Sequence, residues 1–98
     1  MNYKLTMYTT QTTGTITPPD TGDNVVVIQD ATGLSLIMTI NFPITPFDCQ
    51  RYMILSTNGI TALTLSAGIT ILGMITTLVG GGYVEYMYLK STGKWHRV

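Results

Sequence analysis

Charge is what this chain has least of. Its 98 residues carry five basic and five acidic side chains, a charged fraction of 10%, against roughly 25% in ordinary soluble domains. Between Arg51 and Glu85 there is no charged side chain at all. The formal net charge is zero, which gives no electrostatic basis for bulk nucleic-acid binding. Thr, Ser, Asn and Gly stand in for the missing charges. Such a surface is weakly defended against association unless a partner covers it. A homo-oligomer covers the same face repeatedly with one kind of contact.

Cysteine and histidine are equally scarce. Cys49 stands alone, so no intrachain disulfide holds the fold, and a lone thiol beside apolar residues reads as a small buried hydrophobe. His96 has no second His and no Cys near it, which leaves no metal-ligand spacing. No G-x-S-x-G elbow occurs, and Gly80-Gly81-Gly82 lacks the Lys and the helix of a phosphate loop. Asp20, Asp23 and Asp30 lie in or beside turns, where Asp bonds its own backbone. The residues offer no nucleophile with a base, so the expectation is a protein without a catalytic, cofactor or metal site.

The remaining charges are uneven. Lys4 faces Asp20, Asp23, Asp30 and Asp48 in the first half, and Arg51, Lys90, Lys94 and Arg97 face Glu85 in the second. Solvated strand ends and loops account for this. Head-to-tail matching between copies is the sharper alternative.

One apolar run is long enough to span a membrane as a helix, Ile60 to Val79. Its interior argues for strands. Leu63-Thr64-Leu65-Ser66 and Ile69-Thr70-Ile71 alternate with period two, Gly68 and Gly73 interrupt the run, and no Lys or Arg cluster flanks it. The N-terminus, MNYKLTMYTTQTT, lacks the apolar core of a signal peptide.

The whole chain reads as short strands with no helix. Asn2 to Thr9 alternates, as a strand or as an arm that adds to another chain. Pro18-Pro19-Asp20-Thr21-Gly22-Asp23 breaks the chain, which suggests residues 1–19 as an N-terminal arm or edge strand and 20–98 as the compact domain. Val25-Val26-Val27-Ile28 is a continuous apolar run, the pattern of a strand buried on both faces. Leu34 to Phe42 follows, ended by Pro43 and Pro46. Arg51 to Ser56 is the next strand, and Asn58-Gly59 is a hairpin-type turn signal. Ile60 to Ser66, Ile69 to Leu72, Tyr83 to Leu89 and Lys94 to Val98 complete the set. The expected fold is all-β: a small β-sandwich or a trimeric β-prism-like barrel of short antiparallel strands.

Tyr83, Tyr86, Tyr88 and Trp95 gather at the terminal hairpin. Cross-strand aromatic pairing accounts for them, and a platform for a sugar or a protein is the functional alternative. Candidate partner-contact residues are therefore Tyr86, Tyr88, Trp95 and Arg97 in the hairpin, with Tyr3, Leu5 and Met7 in the first segment.

From Asp48 onward the order of motifs resembles a module found in bacteriophage fibre and capsid-decoration proteins. The matching pieces are Asp48-Cys49-Gln50-Arg51, Asn58-Gly59-Ile60, Leu63-Thr64-Leu65, Gly68-Ile69-Thr70-Ile71-Leu72-Gly73, Leu78, the glycine turn, Val84-Glu85-Tyr86-Met87-Tyr88 and Lys94-Trp95-His96-Arg97-Val98. The family more often has Gly where this chain has Cys49. The resemblance covers the second half and reaches back weakly to the Leu34–Phe42 strand. It implies a homotrimeric structural protein of a virion without enzymatic activity, and the short length points to a head fibre or a decoration protein on the outer capsid. The implied partners are two further copies and the major capsid protein or another virion protein, with the segment before Pro18 as a capsid-docking arm. A receptor- or glycan-binding tip module, which would meet a host surface glycan, and a small membrane protein are the alternatives.

Overall fold

The computed structural model describes residues 3–8, 13–17, 24–29 and 35–98. Strands β1 (Tyr3–Tyr8), β3 (Asn24–Gln29) and β5 (Arg51–Ser56) lie side by side and parallel in one sheet. Strands β2 (Thr13–Ile16), β4 (Ser35–Asn41) and β6 (Ile60–Ser66) lie parallel in a second. Consecutive strands thus alternate between sheets, and each strand's neighbour in its own sheet lies two elements along the chain. Parallel neighbours cannot be joined by a tight hairpin. Here the return path runs through the other sheet, so the chain winds as a flat coil.

Beyond β5 the pattern changes. Strand β8 (Tyr83–Leu89) pairs antiparallel with β5, β9 (Lys94–Arg97) pairs antiparallel with β8, and β7 (Ile71–Leu72) joins β9 in parallel. The larger sheet therefore runs β1-β3-β5-β8-β9-β7, and the smaller runs β2-β4-β6.

The antiparallel expectation holds only for the β5–β8–β9 junction; the other ladders are parallel. Period-two alternation is common to both kinds of sheet, and the connections decide direction. Asn58-Gly59 is where the hairpin reading departs from the structure. The left-handed Gly59 (φ 94°) turns the chain out of the larger sheet and into the smaller one, with its N–H donated to Ser56 Oγ at 2.9 Å. The described strands form two open sheets around one core, a sandwich-like arrangement with no closed barrel inside the chain.

Residues 60–79, long enough to span as a helix, instead supply β6, β7 and a bridge from Ile60 to Leu78. Among the described residues no helix is long and apolar enough to cross a membrane.

Alternation places one row of each strand inward. Val25, Tyr52 and Tyr86 stand in register across the larger sheet, as do Val27, Ile54 and Val84. Ile16, Ile40 and Leu65 do the same in the smaller sheet. All of these are buried. Phe42 stacks on Tyr52 at 4.4 Å and meets Trp95 edge to face at 5.1 Å. Burying one such ring contributes roughly 4–6 kcal/mol as an upper estimate from area.

Two polar side chains lie in the core's last inward row. Ser56 donates its hydroxyl to Gln29 Oε1 at 2.7 Å, and both residues are buried. Pairing removes the cost that either would carry alone. Among the described residues, the buried side-chain nitrogen or oxygen left without a partner is Trp95 Nε1. The rings of Phe42, Tyr52 and Tyr88 surround that indole.

The segment set apart at Pro18-Pro19 contributes edge strands to both sheets: β1 on the larger, β2 on the smaller. Ile16 is fully buried in the common core. Residues 18–23 and 30–34, where turns were expected, lie outside the described residues.

Candidate interaction surface

Strands β3 and β5 are apolar on both faces, and only one face is used by the core. On the outer side Val26 stands beside Met53, and Ile28 beside Leu55 beside Tyr83. Val26, Ile28, Met53 and Leu55 are half-buried, and Tyr83 is 65% exposed. Leu5 and Met7 of β1 hold the matching register positions next to Val26 and Ile28. The continuous run Val25 to Ile28 carried the signal for this second face, since a strand with one wet face would alternate.

Beside this patch the described residues include one acid and one base, with Lys94 of β9 farther along the same face, opposite Leu89. Arg51 Nη1 donates to Glu85 Oε1 at 3.0 Å across the β5–β8 ladder. The two charges cancel within the chain, so the patch around them is neutral as well as apolar.

At one end of these rows lies a recess of about 220 Å³ lined by Ile28, Leu55, Ser56, Thr57, Gly81 and Gly82. The glycine turn makes its wall. Gly81 adopts φ 78° and donates its N–H to Ser56 O at 2.8 Å. A Cβ on Gly82 would stand 2.9 Å from Val79, so a side chain is excluded there and the hollow stays open.

The smaller sheet shows a different outer surface. Thr15, Thr39 and Thr64 stand in register across its three strands, and Ile37, 60% exposed, stands beside Ala62. This face carries no charge. A second hollow lies by Asn41, Phe42 and Ser66, where Asn41 Nδ2 donates to Thr17 Oγ1 at 2.8 Å.

Of the partner-contact residues expected from sequence, Tyr86 and Trp95 are fully buried. This corrects their placement on a contact platform: both point into the aromatic core, with Tyr86 donating its hydroxyl to Gly73 O at 2.8 Å. Burial raises the Tyr86 pKa above its ordinary value; the Arg97 guanidinium and the Ile75 backbone act in the opposite direction. Tyr88 is half-buried, 5.6 Å from the Trp95 ring. Arg97 is exposed on β9 and packs its aliphatic stem against Gly73. Tyr3, Leu5 and Met7 lie on the edge strand β1.

Asp48-Cys49-Gln50-Arg51 is a fastening rather than a site. Asp48 Oδ1 accepts the Lys90 N–H at 2.8 Å, the Cys49 N–H reaches Tyr88 O at 2.7 Å, and the Tyr88 N–H reaches Gln50 O at 2.9 Å. These bonds tie the β8–β9 hairpin to the start of β5. Cys49 is exposed at φ 65°, not buried as its neighbours suggested. Among the described residues no three of His, Cys, Asp and Glu gather as metal ligands.

Searches of protein-family models, curated proteins and solved structures give no match to this chain.

Proposed function

We propose that the chain is a structural protein of a bacteriophage virion, a head fibre or capsid decoration protein on the outer capsid, working as a homotrimer without enzymatic activity. The observation that carries this reading is the second apolar face of the larger sheet. Val26, Ile28, Met53, Leu55 and Tyr83 lie outside the core in one neutral patch. Contiguous apolar surface of this kind marks contact sites. It supplies a physical reason for a chain with so few charges: faces between subunits have no use for them. The ordered motifs from Asp48 to Val98 support the virion assignment by resemblance.

The test has two stages. Light scattering after size exclusion, without detergent, should return about three times the 10.7 kDa chain mass. The purified oligomer should then bind isolated capsids that lack it. A monomer at the first stage, or no binding at the second, overturns the reading.

A further inference from the structure

Self-association through the outer face of the larger sheet requires a shape that fits itself, and two features of that face are complementary. We infer that neighbouring copies meet through a knob in a recess. Tyr83 of one copy seats in the hollow formed by Ile28, Leu55, Ser56, Thr57, Gly81 and Gly82 of the next. This contact rests on the homotrimer reading above and names its interface.

Charge selects a second copy as the occupant. Among the described residues, the part of the outer face beside the recess offers one guanidinium and one carboxylate, already joined at 3.0 Å, while Lys94 lies at the far end of β8, opposite Leu89. A charged partner would find no counter-ion beside the recess, whereas another copy of the same patch is equally neutral. Desolvating such a pair of patches leaves no charge unpaired.

Size agrees. A cavity of roughly 150 Å³ lined by aliphatic side chains holds a benzene ring, so the recess of about 220 Å³ admits a phenol. Its lining is mainly apolar, with the exposed Thr57 at the rim as a polar neighbour for the phenol oxygen. Tyrosine joins a large apolar body to a polar tip and is enriched among interface anchors.

The ring does not fill the hollow of its own chain. Tyr83 follows Gly82 and stands in register with Leu55, two residues of the lining, yet remains 65% exposed. Knob and hollow are therefore side by side, and among the described residues the ring does not enter the hollow. Passed head to tail, a contact of this type forms a ring where the rotation between copies closes, and in a homotrimer each copy gives one knob and receives one.

The experiment compares native masses of the full chain with Tyr83→Ser, which removes the knob, and Thr57→Trp, which blocks the hollow from its rim. Both positions are exposed, so the core is untouched, and far-UV circular dichroism checks that the strands persist. The expected result is three chain masses for the unaltered protein and one for each variant. An equimolar mixture of the variants should give two chain masses, because it contains one intact knob and one intact hollow. A three-chain mass that survives Tyr83→Ser, or a mixture that stays monomeric, overturns the knob-in-recess contact and leaves the trimer reading standing. An unaltered protein of one or two chain masses overturns both.

Discussion

Arg51 reaches across from β5 to hold Glu85 of β8 at 3.0 Å, where the parallel coil hands over to the antiparallel hairpin. The Glu85 side chain is 13% exposed and the Arg51 side chain 31%. Removing one partner leaves the other partly desolvated without its counter-charge, the costly way to break a pair. Glu85→Ala is expected to lower stability by about 1–3 kcal/mol, read from the midpoint of urea unfolding. The double variant Arg51→Met/Glu85→Leu should recover part of that loss, since apolar replacements leave no orphan charge. A double variant as unstable as the sum of its parts would show the pair to be uncoupled.

Cys49 and Gly73 give opposite results by the same backbone argument. Both adopt positive φ, 65° and 76°. Cys49 has a Cβ where the conformation disfavours one, so Cys49→Gly should stabilise by up to about 1 kcal/mol, the gain trimmed by the greater freedom of glycine when unfolded. Cys49→Val should destabilise, because a branched side chain is worse in this region. At Gly73 the Cβ of an alanine would also stand 2.8 Å from Arg97 Cβ. Gly73→Ala should therefore cost about 2–4 kcal/mol, the conformational term plus overpacking. Gly81→Ala is the control: φ is 78°, nothing lies within 4 Å, and the cost should be about 1–2 kcal/mol. Thermal melts of the Cys49, Gly73 and Gly81 variants rank them. Equal losses at 73 and 81 would remove Arg97 from the account.

The buried Tyr86 hydroxyl makes stability fall at alkaline pH. Burial raises its pKa above the ordinary value of 10.0, so the folded chain keeps a proton that the unfolded chain gives up. The contribution is therefore fully present below about pH 10 and is lost as pH rises toward the folded-state pKa. Tyr86→Phe should cost about 1 kcal/mol at pH 7 through the lost bond to Gly73 O. Above pH 10 the variant should lose stability less steeply than the unaltered chain. Parallel curves from pH 8 to 11 would assign the alkaline loss to other groups.

Several strands could be read from alternation alone, and the way they are joined could not. Arg51 to Ser56 and Tyr83 to Leu89 have the bounds that their period-two pattern indicates. Alternation also divides β8 into its two rows, but nothing local says which row turns inward. Tyr86 and Trp95 are as well suited to a platform as to a core, and only the packing of Phe42 and Tyr52 against them decides. Strand β2 was missed because Thr13–Ile16 carries one large apolar side chain, Ile16. The Gln29–Ser56 bond joins residues 27 apart, a distance no local pattern spans. The outer face was visible in part: the run Val25 to Ile28 indicated two buried faces. Its second half, Met53, Leu55 and Tyr83, becomes a patch only when register brings the strands together.

The last expectation concerns residues 1–17, which a docking-arm reading treats as dispensable for folding. In the structure β1 and β2 are the edge strands that complete both sheets, and Ile16 lies fully inside the core. Deleting them would uncover the parallel edges of β3 and β4 and empty the space that Ile16 fills. Loss of one buried isoleucine costs about 2–5 kcal/mol, and two newly bared edges present unpaired donors and acceptors that invite aggregation. The truncated chain should melt well below the full one or precipitate, and Ile16→Ala alone should reproduce a large part of the loss. If instead the truncated chain keeps the melting temperature and native mass of the full protein, β1 and β2 contribute nothing to the fold. The segment would then be free to act as an arm, and its removal would be a clean test of capsid attachment.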